Sequence, residues 1–196
     1  MAKLIFRYGA MNAGKSTVLM QVAYNFEEND RKVIVMKAEK DTKGDNKVVS
    51  RLGIDRKVDI LIDEKESVLE NKYLSVIRKC HAILVDEAQF LTENQIEELW
   101  IISKRLDIPV ICYGLKTDFT THSFEGSRRL FELADELEEL VTICRCGKKA
   151  RYNARKVNGV YTIEGDQTVI DGTDKIQYVP MCANCYIQKV LKKTLL

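Results

Sequence analysis

At 196 residues the chain can bury one full core plus a small appendage, but not two large domains. Its 31% charged and 45% hydrophobic residues are the balance of an ordinary globular protein, and a formal net charge of +2 gives no electrostatic footprint for DNA or RNA. No stretch approaches the ~20 apolar residues that span a bilayer, and the opening MAKLIFRY is too short an apolar run for an export signal. A cytoplasmic protein with neither a nucleic-acid nor a membrane partner is expected.

In chain order, Lys3–Tyr8 reads as a buried first strand, followed by a glycine-bearing loop. Lys15–Glu28 sets Val18, Leu19, Val22 and Phe26 on one helical face. Lys32–Lys37 is a β-branched run of the kind found in central parallel strands. The polar stretch Ala38–Asp55 reads as a loop or excursion. His81–Val85 is a second buried strand with Asp86 at its tip, and Thr92 opens a helix running to Leu106. Pro109–Tyr113 is a further strand, halted by Gly114. Strands alternating with helices predict an α/β fold with a parallel sheet and helices on both faces. Near Thr142 the pattern gives way to cysteines, tyrosines and turn residues. A boundary is expected there, with a main domain over 1–141 and a smaller one over 142–196.

Gly9-Ala10-Met11-Asn12-Ala13-Gly14-Lys15-Ser16 satisfies G-x-x-x-x-G-K-[ST] at every required position, between a predicted strand and a predicted helix. Such a P-loop turns successive N–H groups toward a phosphate, and the helix adds the positive end of its dipole. Lys15 would reach the β- and γ-phosphates of a nucleotide, and the Ser16 hydroxyl would ligate Mg²⁺. Asp86, at the end of an apolar strand, stands where the second metal-holding acid of a P-loop protein belongs. Glu87 beside it could take a proton from the group that attacks the γ-phosphate, whether a substrate hydroxyl or water.

Cys144-Arg-Cys146 and Cys182-Ala-Asn-Cys185 are two close cysteine pairs, which suit a closed tetrahedral Cys₄ zinc site tying the ends of a roughly 35-residue excursion. Unliganded thiols or two disulfides are the alternatives. Cys80 and Cys112 lie in apolar runs and read as core residues. Lys148, Lys149, Arg151, Arg155 and Lys156 form a basic cluster that reads as a solvated face, a nucleic-acid-binding ribbon being the alternative.

Together with the cysteine module, the phrases Ala10–Thr17 (AMNAGKST), Val85–Phe90 (VDEAQF) and Cys112–Phe119 (CYGLKTDF) resemble the type II thymidine kinase family in its bacterial form, over nearly the whole chain. The resemblance implies an ATP-dependent kinase that phosphorylates the 5′-hydroxyl of thymidine. It implies an ATP site made of the Gly9–Ser16 loop with Asp86, Glu87, Ala88 and Gln89, and Glu87 as catalytic base. Met11, Phe90, Leu115, Phe119 and Phe124 would line the nucleoside pocket. The excursion between the cysteine pairs resembles the family's lasso loop, with Val169, Ile170, Gly172 and Tyr178 meeting the base. Feedback inhibition by dTTP and a homotetramer are implied as well. Two departures stand out. Asp41-Thr42-Lys43 replaces the family's frequent Asp-x-Arg, and Asp171–Gln177 is about one residue longer than the usual pattern.

Overall fold

The computed structural model describes residues 1–40, 46–50, 53–167 and 176–192. β1 (Leu4–Tyr8) leads through the glycine loop into α1 (Lys15–Glu27), and β2 (Val33–Ala38) follows. Next come β3 (Lys47–Val49), β4 (Asp55–Lys57), β5 (Ile60–Ile62) and α2 (Asn71–Ile77). β6 (Ala82–Asp86), α3 (Glu93–Arg105), β7 (Val110–Gly114), α4 (Glu125–Leu133) and β8 (Glu136–Glu139) complete the larger part. Six strands form one sheet in the order β5-β2-β6-β7-β1-β8, with every neighbouring pair parallel.

Helices cover both faces, as strands buried on both sides require. On one face α1 packs Leu19, Met20 and Ala23 against Val33, Val35, Leu84, Ile111 and Tyr113. On the other, Ile96, Leu99 and Ile102 of α3 and Leu130 of α4 meet Phe6, Ile34, Met36, Ile83 and Val85. α3 begins where the sequence predicts. The Thr92 side chain accepts from Gln95 N at 3.2 Å while Gln95 Oε1 accepts from Thr92 N at 3.1 Å, a complete capping box.

The segment expected to be a loop between β2 and the next strand departs from that reading in its described part. β3 and β4 pair as an antiparallel hairpin. Arg56 in β4 donates to both Glu27 carboxylate oxygens at 2.6 and 2.8 Å, which ties the hairpin to α1. The acidic strand β8 was also not foreseen. Its carboxylates are tolerated because it is an edge strand facing basic neighbours on β1, with Glu138 accepting from Arg7 at 2.7 Å and Glu136 from Lys3.

Beyond residue 141 the ladder changes to antiparallel. β9 (Thr142–Ile143) pairs with β10 (Lys149–Ala150), and β11 (Tyr152–Val157) lies between β12 (Val160–Thr162) and β13 (Ile176–Met181). α5 (Ala183–Tyr186) runs on into a π-helical turn over Ile187–Leu191. A separate core of Cys144, Ala150, Ala154, Met181, Cys182, Cys185, Tyr186 and Val190 holds this part together. Among the described residues no helix is long and apolar enough to cross a membrane.

Candidate active site

The chemistry-bearing motifs meet at the C-terminal edge of the parallel sheet, the edge where open α/β sheets place their ligands. The loop after β1 turns through Asn12 (φ 66°) and Gly14 (φ 76°) into α1. The first N–H groups of α1 have no intrahelical acceptor and face out of the helix end, and Gly14 offers them no side-chain cap. Lys15 is buried and curled over its own loop, its Nζ 3.1 Å from Ala10 O and 3.4 Å from Gly9 O.

Asp86 closes the site from β6. The Ser16 hydroxyl lies 3.3 and 3.4 Å from its two carboxylate oxygens. Neighbouring oxygen ligands on a Mg²⁺ ion at 2.0–2.1 Å would be ~2.9 Å apart, so a slight approach of the two side chains fits that donor set. Glu87, immediately after the strand, has a left-handed backbone at φ 47°, an uncommon conformation for a residue with a side chain. Its carboxylate accepts from Gln89 Nε2 at 2.6 Å. The other end of that buried amide, Gln89 Oε1, accepts from Leu115 N at 3.0 Å. Gly114 makes this approach possible, because a Cβ there would lie 2.8 Å from Gln89 Oε1. Gln89 thus spans from Glu87 to the segment that follows β7. Ala88 is buried beneath the turn.

Phe90 and Phe124 pack edge-on with ring centroids 5.7 Å apart, and Leu115 is half-buried. Phe119 is 1% exposed and lies under the guanidinium of Arg155 at 3.5 Å. Its carbonyl accepts from the Tyr186 hydroxyl. Tyr178 lies in β13, across from Arg155. Val169, Ile170 and Gly172, as well as the Asp41-Thr42-Lys43 departure, lie outside the described residues. So does most of the Asp171–Gln177 stretch, of which only Ile176 and Gln177 are described.

The four sulfurs of Cys144, Cys146, Cys182 and Cys185 lie within 4.8 Å of one another, and Cys146 and Cys182 are 3.6 Å apart. Four thiolates at 2.3 Å from a central ion have S···S edges of ~3.8 Å, so the donor set fits a tetrahedral metal. The backbone N–H of Cys146 helps hold the Cys144 thiol down to about 6. Cys185, against Cys146 and the other two sulfurs, is pushed up to about 12. A cation between the sulfurs would favour the thiolate form of all four. Cys80 and Cys112 are buried away from this cluster, and burial raises both thiols.

Two residues that no motif assigned to the site also contact it: Asn153, and Arg155, which the sequence places only in a basic cluster. Asn153, on β11, accepts the Met11 N–H at 2.8 Å through Oδ1. Arg155 is 2% exposed, so the reading of the basic cluster as a solvated face is wrong at this position, while Arg151 keeps 62% of its side chain exposed. The Arg155 guanidinium donates to the Asp166 carbonyl at 2.8 Å and to the Glu164 carbonyl. No motif distinguishes either residue. An asparagine and an arginine two apart on a strand share one face, and only knowledge of β11 would have exposed that relation. A cleft of about 410 Å³ at the opposite edge of the sheet is lined by Arg31, Arg78, His81 and Asp107. Arg31 and Arg78 follow the ends of α1 and α2, where cations complement the negative end of a helix dipole.

The thymidine kinase family model matches residues 2–186. A protein named thymidine kinase from Pasteurella multocida (strain Pm70) is 44% identical over 192 residues, covering 97% of this chain and 99% of its own. One of the same name from Haemophilus influenzae (strain Rd) is 45% identical over 192 residues, covering 96% of this chain and 98% of its own. Among solved structures, AMPPCP-bound DnaA from Aquifex aeolicus aligns with a TM-score of 0.45 and 18% identity, over 71% of this chain and 40% of that one. With a family model spanning almost its whole length and relatives matched end to end, the chain belongs to the thymidine kinase family.

Proposed function

We propose that the protein transfers the γ-phosphoryl group of ATP to the 5′-hydroxyl of thymidine, giving dTMP and ADP. The observation that carries this reading is the position of Glu87. Its carboxylate stands one residue beyond the Asp86–Ser16 pair and is tied through Gln89 to Leu115, so a single base is shared by the phosphate side and the substrate side.

Backbone N–H groups of the later part of the Gly9–Ser16 loop, beyond Met11, would bind the β- and γ-phosphates, and Lys15 would move from its own carbonyls to their oxygens. Ser16 and Asp86 would hold Mg²⁺, which when bound neutralises charge between the β- and γ-phosphates. Glu87 accepts the proton of the 5′-hydroxyl as that oxygen bonds to the γ-phosphorus. The bond from the γ-phosphorus to the bridging oxygen breaks, and its electron pair leaves on ADP. Gln89 holds the Glu87 carboxylate, with Ala88 read as part of the same ATP-side turn. Phe90, Leu115 and Phe124 are read as walls for a flat base, with Phe119 behind them and Met11 at the P-loop side. Tyr178, Val169, Ile170 and Gly172 are read as the lasso's contacts with that base.

Cys144, Cys146, Cys182 and Cys185 would hold a structural zinc ion that ties the C-terminal part together. In this reading residues 1–141 form the kinase domain and residues 142–196 the zinc-binding and lasso-loop domain, which the separate core around the cysteines supports. Inhibition by dTTP in the active site, a homotetramer and a cytoplasmic location rest on family membership alone. ADP formation from Mg·ATP with and without thymidine, in the wild type and in Glu87→Gln, tests the reading. Turnover should require thymidine and fall at least a hundredfold in the variant, within the ~10²–10⁴ range of positioned bases. ATP consumption indifferent to thymidine would replace the kinase reading with that of a hydrolase.

A further inference from the structure

The C-terminal part does more than sit beside the phosphate loop. Asn153 is 3% exposed and lies on β11, on the same face of the strand as Arg155. Its Oδ1 accepts the Met11 N–H at 2.8 Å, across 142 positions of sequence. Its Nδ2 lies 3.4 Å from the carbonyl oxygen of Thr117, in the segment after β7. One amide therefore touches the phosphate loop with one end and the substrate-side segment with the other.

The same segment is gripped twice more from the C-terminal part. Arg155 covers the Phe119 ring, and the Tyr186 hydroxyl donates to the Phe119 carbonyl. Asn153 carries that grip on to the P-loop, through the Met11 N–H. Its strand is in turn fixed by its partner. Tyr152, the residue before Asn153, pairs with Met181, the residue before Cys182. The position of Asn153 is thus set by the strand that ends at the cysteine cluster.

We propose that Asn153 is a positioning residue that latches the leading half of the P-loop, at Met11, to the C-terminal part. The shape of the phosphate cradle then depends on that part being seated on the Thr117–Phe119 segment. The Met11 N–H is directed at Asn153 and not into the cradle, which anchors the loop at that point. An alanine at 153 would leave the half-buried Met11 N–H and the buried Thr117 carbonyl without this partner. The loop would gain freedom on the side where ATP binds. The inference builds on the kinase reading, but its test does not use turnover.

Hydrogen exchange of the Met11 amide, together with binding of a non-hydrolysable ATP analogue, is to be measured in the wild type, Asn153→Ala and Asn153→Asp. In Asn153→Ala the Met11 amide should exchange about tenfold faster and the analogue bind about tenfold more weakly, the size of one lost hydrogen bond. The amides of the β11–β13 ladder should stay protected. Asn153→Asp keeps an acceptor for the Met11 N–H and should keep that amide protected. Unchanged Met11 exchange in Asn153→Ala overturns the latch. So does protection lost equally along the β11–β13 ladder, since the residue would then only stabilise its own strand. A protein that proved to hydrolyse ATP without thymidine would overturn the proposed reaction while leaving these measurements able to support the latch.

Discussion

The Gln89 side-chain amide donates to the Glu87 carboxylate at 2.6 Å and leaves that residue in a left-handed turn directly after β6. A carboxylate held by a buried amide has a fixed direction, and a base needs direction before it needs strength. In Gln89→Leu the Glu87 carboxylate and the Leu115 N–H both lose this partner. We expect kcat to fall about tenfold to a hundredfold with KM for ATP changed little. Steady-state kinetics with both substrates varied checks the split. An unchanged kcat would remove Gln89 from the positioning of the base.

Gly126, the second residue of the two-and-a-half-turn helix α4, lies against the chain just past β6. A Cβ there would lie 2.6 Å from the carbonyl oxygens of Ala88 and Leu91, which are backbone atoms with little room to yield. Gly126→Ala should cost about 1–3 kcal/mol, the usual range for overpacking. The shift of the denaturant midpoint at constant slope measures it. Because the clash bears on Ala88, beside the turn at the proposed base Glu87, activity should decline as well.

How far the sequence carries depends on how local each feature is. The P-loop, Asp86 and the Thr92 cap lie within a few residues of the strands and helices that define them, and all were legible. The cysteine cluster was legible because ligand type alone narrows the chemistry, although only folding brings Cys146 to within 3.6 Å of Cys182. α4 and β8 were missed because α4 is short and carries Gly126, and because Glu136–Glu139 reads as a polar stretch until Arg7 and Lys3 are seen beside it. Asn153 and Arg155 were out of reach for a deeper reason. Their partners lie in another part of the chain, and the register of β11 decides which side chains turn inward.

The cysteine cluster predicts one zinc ion per chain by elemental analysis of the purified protein. Cys146→Ser should lose that metal and lower the thermal midpoint, because metal binding to so small a core is part of its folding energy. Limited proteolysis should then cut within 142–192 while the parallel sheet persists. Full stability without metal would show that the core around Tyr186 and Met181 suffices on its own.

Asp135 ties the start of the sheet to α3. It accepts from Leu4 N at 2.7 Å and from Lys104 Nζ at 2.5 Å. Partial burial pushes its carboxyl up, but the bonds from Lys104 and Leu4 outweigh this and hold it below its ordinary 3.8. A carboxylate depressed in the folded state contributes stability above its unfolded value and loses it as the pH falls through the folded one. The thermal midpoint of the wild type should therefore exceed that of Asp135→Asn at neutral pH, and the gap should close as the pH drops below about 4. A gap that persists undiminished at pH 2 would assign the effect to packing and not to charge.

The central claim is that Glu87 directs the γ-phosphoryl group to a nucleoside hydroxyl. Following the label from γ-labelled Mg·ATP in the presence of thymidine tests it most directly. The account predicts label at the 5′ position of dTMP, in amounts equal to the ADP formed, with Glu87→Gln suppressing both. Label appearing in inorganic phosphate, with thymidine left unmodified, would contradict it.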